Sequence, residues 1–238
     1  MRTVSRVGGS DYADYLNLEL LLQLQHPRCS RIDRWVHGDE HFFIVVHQCS
    51  ELMLRQILID LKDAGDAMTP PSDGDLRWCI DNLKRSAESL RLLGSLMSAL
   101  HFMRVKSFAS FRPLLGKASG AQSSQFRELR LVLGLSGNRD GALFDAFRKL
   151  VSDRGCELGD VFSQLDVDHV LHRIAEAMLN LSEAVWQCLT EHVRLAAWML
   201  GDAAGTGGSS GVGYLEKRIA APFEPLWRAR SVAHVGGA

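Results

Sequence analysis

Apolar residues recur every three to four positions along most of this chain, the spacing that stacks side chains on one face of an α-helix. Tyr12, Tyr15, Leu16, Leu20 and Leu24 follow that period up to Pro27, which cannot donate a backbone hydrogen bond. A first helix capped by Ser10 or Asp11 is expected there. Residues 28–38 read as an irregular connection. Asp39 and Glu40 then place acid at the start of a second helix, where the helix dipole favours it, and Leu52, Leu54, Ile57, Leu58 and Leu61 carry that helix to about Gly65. Beyond the turn cluster at residues 70–74, Leu76, Ile80, Leu83, Leu90, Leu93, Met97 and Leu100 mark a third long amphipathic helix. Residues 107–116 read as a short helix or turn, and small polar residues from Ser119 lead into a helix that ends near Gly134. Leu143 to Val151 is another helix, and residues 167–200 make one very long helix or two. A glycine-rich stretch from Gly205 to Gly213 precedes a short helix from Tyr214 and a tail with Pro222 and Pro225. Strand-like alternation is scarce. The expected class is all-α, a helical bundle forming one domain over residues 1–238.

The 27 basic and 28 acidic side chains leave a formal charge of −1, so no global basic field would hold nucleic acid or an anionic membrane. Any binding must come from a local site. Five cysteines with no close pair form neither a disulfide framework nor a zinc pattern, and reduced thiols of a cytoplasmic protein are expected. With no signal-peptide core and no apolar run approaching the ~18 residues of a membrane span, the chain reads as soluble and unexported.

Candidate chemistry centres on His47, a lone imidazole inside the apolar stretch from Phe42 to Leu52, sharing a helical face with Phe43 and Leu54. It is either a core histidine satisfied by a carbonyl or part of a cavity wall. His192, among Leu189, Leu195 and Met199, is a second isolated imidazole, and either could ligate or face a haem. Arg112 sits between Phe111 and Pro113, one turn after Phe108, where a guanidinium could grip a carboxylate or form a structural ion pair. The glycine-rich stretch lacks the ending of a phosphate-binding loop and no strand precedes it; a lid over a ligand, with Thr206, Ser209 and Ser210 supplying hydroxyls, fits better. His169, His172 and Glu176 could hold a metal, but the charges around them favour a solvated face, and His37, Asp39, Glu40 and His41 read as a polar start to a helix.

Four segments, in this order, resemble the tryptophan 2,3-dioxygenase family. They are Tyr12-Ala-Asp-Tyr-Leu16 with Leu22-Gln-Leu-Gln-His-Pro27; the run from Asp39 to Leu52; Phe108-Ala-Ser-Phe-Arg-Pro-Leu-Leu115 leading into the run from Ala118 to Arg127; and the run from Gly205 to Leu215. The likeness covers most of the chain and is weakest between about residues 138 and 185. It implies a helical protein, usually a homotetramer and otherwise a dimer, that binds haem b (iron protoporphyrin IX). With dioxygen such a protein opens the indole ring of L-tryptophan, giving N-formylkynurenine on the kynurenine pathway.

Carried onto this sequence, the resemblance makes His192 the axial iron ligand and His47 the distal imidazole that hydrogen-bonds the indole N–H. Arg112 would hold the substrate carboxylate and Thr206 the ammonium side, while Phe43, Phe108 and Leu115 wall the indole and Ser119 lies near the haem edge. Tyr12 and Tyr15 would reach into a neighbouring subunit's pocket. The chain departs from the family in being shorter between Arg127 and His192, in carrying Asp202-Ala-Ala before the glycine stretch where a basic pair is usual, and in Met53 where tryptophan is usual. Those departures leave room for a substituted tryptophan as substrate, for insertion of a single oxygen atom to give an oxindole, or for haem binding without turnover.

Overall fold

A computed structural model of the chain describes residues 11–70, 72–116, 122–137, 140–201, 203 and 211–235. These residues contain eleven α-helices and no strand. Three long helices form the frame: α3 (Arg34–Asp66), α4 (Asp73–Ala99) and α9 (Val170–Leu200). The 33 residues of α3 and 31 of α9 give rods of roughly 45–50 Å at ~1.5 Å per residue. Helix α4 packs against both. Leu76, Cys79, Ile80, Leu83, Ala87 and Leu90 on its buried side meet Ile57, Leu58 and Leu61 of α3 and Ile174, Met178, Leu181 and Val185 of α9 in one apolar core. The shorter helices α6 (Ser124–Val132), α7 (Ala142–Asp153) and α8 (Leu158–Ser163) close that core with Leu129, Phe144, Phe147, Leu150 and Val161.

Several boundaries differ from the sequence expectation. Asn17, with φ 51°, takes the left-handed conformation and splits the first helix into α1 (Tyr12–Leu16) and α2 (Leu18–Leu21), while Asp11 caps α1 through the Asp14 N–H. Helix α3 starts within the stretch expected to be irregular, because Asp33 accepts the backbone N–H groups of Trp35 and Val36. Residues 167–200 give a single helix. The expected tail instead contains α11 (Glu224–Val235), with Pro225 in the first turn, where a missing N–H costs nothing. It docks on α9 through Ser182, whose hydroxyl donates to the Pro222 carbonyl (2.6 Å) and accepts from the Trp227 indole N–H (2.9 Å).

Contrary to the expectation that no segment is long and apolar enough to span a membrane, α3 meets both measures. Its face is nevertheless bonded within the protein at two polar residues. Asp60, fully buried, receives the Arg85 guanidinium through two bonds (2.8 and 2.7 Å) and the Gln56 amide. Glu40, also buried, accepts the backbone N–H groups of Arg28 (2.9 Å) and Cys29 (2.8 Å). Burial would raise the Glu40 carboxyl, but bonds from the Cys29 thiol and those two N–H groups, with His37 nearby, outweigh it and hold the carboxyl below its usual range. Glu40 therefore anchors the connection before α3 rather than facing solvent.

Removing Arg85 leaves the Asp60 carboxylate buried without its counter-charge, so Arg85→Ala should destabilise the fold by about 3 kcal/mol. Arg148→Ala, at the exposed pair with Asp140, should cost under about 0.5 kcal/mol. Urea unfolding of the two variants gives the comparison.

Candidate functional site

Near the ends of the long helices a second, smaller apolar cluster stands apart from the main core. Val46 of α3, Leu100 and Met103 after α4, Phe111, and Leu195 and Met199 of α9 form it, with Phe43, Phe108 and Leu115 packed against it. Phe108 and Phe111 lie on α5 (Val105–Phe111), and Arg112 to Leu115 follow as a 3-10 turn. The rings interlock: Phe43 lies 6.0 Å from Phe108 and 5.5 Å from Phe111 between centroids, and Phe108 meets Phe111 edge-on at 5.4 Å. Such tilted and edge contacts are the favoured aromatic geometry, and they hold this wall rigid.

His47 stands beside that wall, its ring 4.0 Å from Phe43. Its Nδ1 lies 2.8 Å from the Phe43 carbonyl. A carbonyl can only accept, so Nδ1 carries the proton and Nε2 keeps a lone pair. Burial lowers the His47 pKa, against the opposing effects of the Phe43 carbonyl and the Glu51 carboxylate. On α9, burial, and then the proximity of His47, lower the pKa of His192. His192 makes no hydrogen bond to a described residue. The neighbouring Glu191 accepts from Ser98 of α4 (2.6 Å), which fixes the rotation of α9 at this level. Burial thus holds both imidazoles toward their neutral forms, with His47 keeping an acceptor nitrogen available.

A cleft of about 650 Å³ opens on the α3 side, lined by Phe43, Ile44, His47, Gln48, Glu51 and Leu115 together with Leu21, Leu24 and the Gln122 to Gln125 stretch. Its size is that of a small-molecule site. The segment after α2 is tied over it by Gln48, which accepts from the Gln25 amide (2.7 Å) and donates to the Leu24 carbonyl (3.0 Å). Arg28 reaches the Leu114 carbonyl (2.8 Å), strapping the same segment to the 3-10 turn. On the far wall Gln125 donates to both the backbone and the carboxylate of Glu51 (2.7 and 2.8 Å).

Of the site residues expected from sequence, Phe43, His47, Phe108 and Leu115 come together at this cleft or its apolar wall, and His192 lies on α9 within electrostatic reach of His47. Arg112 is partly buried at the end of α5. Tyr12 and Tyr15 are 76% and 77% exposed, both on α1, which like α2 after it buries none of its residues. Ser119 and Thr206 lie outside the described residues. His169, His172 and Glu176 do not converge: His169 caps α9, His172 bonds the Val161 carbonyl (3.0 Å) and Glu176 pairs with Arg230. No cluster of three metal-ligating side chains occurs among the described residues. Gln48, Glu51 and Gln125 went unnoticed in the sequence; the available signal was that Ile44, His47, Gln48 and Glu51 recur at helical spacing on one face.

A family model described as tryptophan 2,3-dioxygenase matches residues 1–149. A tryptophan 2,3-dioxygenase of Nocardioides sp. is 32% identical, with 92% of this chain and 93% of that one aligned. The chain belongs to the tryptophan 2,3-dioxygenase family. A Herpetosiphon aurantiacus relative of the same name is 29% identical over 92% of this chain and 97% of its own, and one from Burkholderia pseudomallei is 27% identical over 92% and 83%. The family model ends within α7, before His192, whereas the relatives align along nearly the whole chain.

Both site histidines have pKa values below the ordinary ~6.5, so the folded state binds fewer protons than the unfolded one as pH falls past that value. Their contribution to stability is complete above it and is lost on acidification. The urea midpoint of the ligand-free protein should therefore drop between about pH 7.5 and about pH 5.5, and drop less in a His47→Gln, His192→Gln double variant. Equal slopes would show that neither histidine is held neutral.

Proposed function

We propose that this chain is a haem-dependent dioxygenase that opens the indole ring of L-tryptophan to give N-formylkynurenine. The observation that carries this reading is the His47 imidazole, its proton held on Nδ1 by the Phe43 carbonyl, lining a small-molecule cleft beside the Phe43, Phe108 and Phe111 wall. Haem b suits the donor set. His192 has an uncommitted ring held uncharged by burial, as an iron ligand must be, and the walls beside it are apolar. When bound there, haem supplies the reduced iron that takes up dioxygen.

The protein's own part is to place the amino acid. The His47 Nε2 lone pair accepts the indole N–H, because the Phe43 carbonyl holds the proton on the other nitrogen. Phe43, Phe108 and Leu115 flank the flat ring, and their bulk excludes water from it. Arg112, one turn beyond Phe108, grips the carboxylate with its planar fork, and Thr206 takes the ammonium side. By resemblance to the family, Ser119 would belong to the haem site. A site built on a few convergent polar groups rejects ring analogues that leave one of them unpaired.

Helix α1, which carries Tyr12 and Tyr15, and α2 after it bury none of their residues, and Leu20 and Leu22 are exposed as well, which suits an arm that packs into a neighbouring subunit of a homotetramer. Five free thiols suit a reducing cytoplasm.

Incubating the haem-loaded protein with a reductant, oxygen and L-tryptophan should give N-formylkynurenine, identified by mass as tryptophan plus two oxygen atoms; no product from any indole amino acid would refute the activity. His192→Ala should lose the haem absorption band, whereas His47→Ala should keep it and bind tryptophan less well. Equal haem loss in both would reverse the assignment. Arg112→Lys should weaken tryptophan binding roughly ten- to hundredfold, the loss of one charge-assisted fork, and unchanged affinity would remove Arg112 from the site.

A further inference from the structure

The wall of the cleft beyond His47 carries two charges that do not pair with each other. Glu51 and Arg55 follow His47 one and two turns along α3, so the three lie near one face of that helix, and all three line the cleft. A glutamate four residues before an arginine has the spacing and order that favour an ion pair. None forms here, because Gln125 of α6 draws the Glu51 carboxylate to itself, donating to its Oε2 at 2.8 Å and to the Glu51 carbonyl at 2.7 Å. The other carboxylate oxygen accepts from no described residue, and the exposed Arg55 has no hydrogen-bond or ionic partner among the described residues. The Glu51 charge is near enough to His47 to oppose the effect of burial on that ring. Along α3 the cleft therefore presents a neutral acceptor at His47, then an anionic acceptor at Glu51, then a cationic donor at Arg55.

We propose that Glu51 and Arg55 select a tryptophan hydroxylated on its benzo ring, at the 6- or 7-position, an inference that rests on the indole-binding reading above. An unsubstituted indole satisfies only the first of the three groups. Its N–H reaches the His47 Nε2, and its C–H edge leaves the open Glu51 oxygen without a donor. Side chains one turn apart on a helix stand roughly 5–6 Å from each other, so donors that meet His47 and Glu51 together must leave the ring along a single edge. On an indole that edge runs from the N–H to carbons 7 and 6, while carbons 4 and 5 point away from it. A hydroxyl is the smallest group that suits the two remaining partners, since it donates to a carboxylate and still accepts from a guanidinium. A carboxylate on the ring would be repelled by Glu51, and a halogen would bring no donor.

Calorimetry on the haem-loaded protein under nitrogen, where no turnover occurs, measures the binding of L-tryptophan and of its 4-, 5-, 6- and 7-hydroxy derivatives. The 6- or the 7-hydroxy compound should bind roughly tenfold more tightly than tryptophan, the gain of one charge-assisted hydrogen bond, and the 4- and 5-hydroxy compounds no more tightly. Glu51→Gln keeps an acceptor for Gln125 but removes the charge, and Arg55→Met removes an exposed cation that bonds to no described residue. Each should cut the preference about threefold or more, as a charged hydrogen bond becomes a neutral one or is lost. Five ligands of equal affinity overturn the assignment, as does a failure of all five to bind or a preference that both variants keep. Admitting oxygen then tests the underlying reading by itself. Tight binding of the 6- or 7-hydroxy compound with no ring-opened product refutes the dioxygenase and leaves the selectivity standing, whereas ring opening of all five amino acids with no preference in binding does the reverse. Protein that takes up no haem refutes the haem reading alone, and the same five titrations without haem then decide the roles of Glu51 and Arg55.

Discussion

Burying one face of α4 against both α3 and α9 determines where everything else on those helices can point. A helix that commits Ile57, Leu58 and Leu61 to a core has no rotational freedom left at Phe43 or His47 three to four turns earlier. The same holds for α9, where Ile174, Met178, Leu181 and Val185 set the direction of His192. The proximity of the two imidazoles is thus a consequence of packing tens of ångströms of apolar helix, with no hydrogen bond between them among the described residues. Polar bonds refine it: Asp60 with Arg85 fixes the register of α3 on α4, and Glu191 with Ser98 that of α9 on α4.

Keeping the site apart from the main core has a physical rationale. The apolar cluster around Val46, Phe111 and Leu195 is small, and the cleft beside it is open. If the site had been cut into the main core, the cavity would have lost dispersion contacts among tightly packed side chains. At the bundle's end, the walls are held instead by interlocking rings and by backbone-directed bonds from Arg28, Gln48 and Gln125. Those bonds need no buried area, so the cleft can stay wide while its lining remains in place.

Much of the frame was legible in the sequence because α4 and α9 bury continuous stripes, and a stripe announces itself at every turn. Local exceptions were not. Asn17 breaks the first helix although the apolar period runs through it, because a left-handed residue leaves the spacing of its neighbours intact. Pro222 and Pro225 looked like the end of order, yet Pro225 occupies the first turn of α11, and the docking bond comes from Ser182 forty residues away in sequence. Glu40 read as a solvated helix start because its partners are backbone N–H groups, which every residue possesses and which no pattern of side chains reveals. In the site, His47 stood out as one imidazole in an apolar run, whereas Gln48 and Glu51 looked like ordinary polar positions. Their importance depends on Gln25 and Gln125, brought to them only by the fold.

The protonation of His47 follows from the same local geometry. A histidine in a helix can bond the carbonyl one turn back, and this one does so at 2.8 Å, which selects the tautomer. Burial then removes the competing charged form. Glu51, one turn further along, pulls the other way, and Gln125 tempers it by donating to the carboxylate. The imidazole nitrogen facing the cleft is therefore an acceptor by construction: a donor there would require either breaking the Phe43 bond or charging a desolvated ring. A ligand that meets His47 must bring its own N–H or O–H, and an indole beside an apolar aromatic wall meets that requirement with no other polar group on its ring.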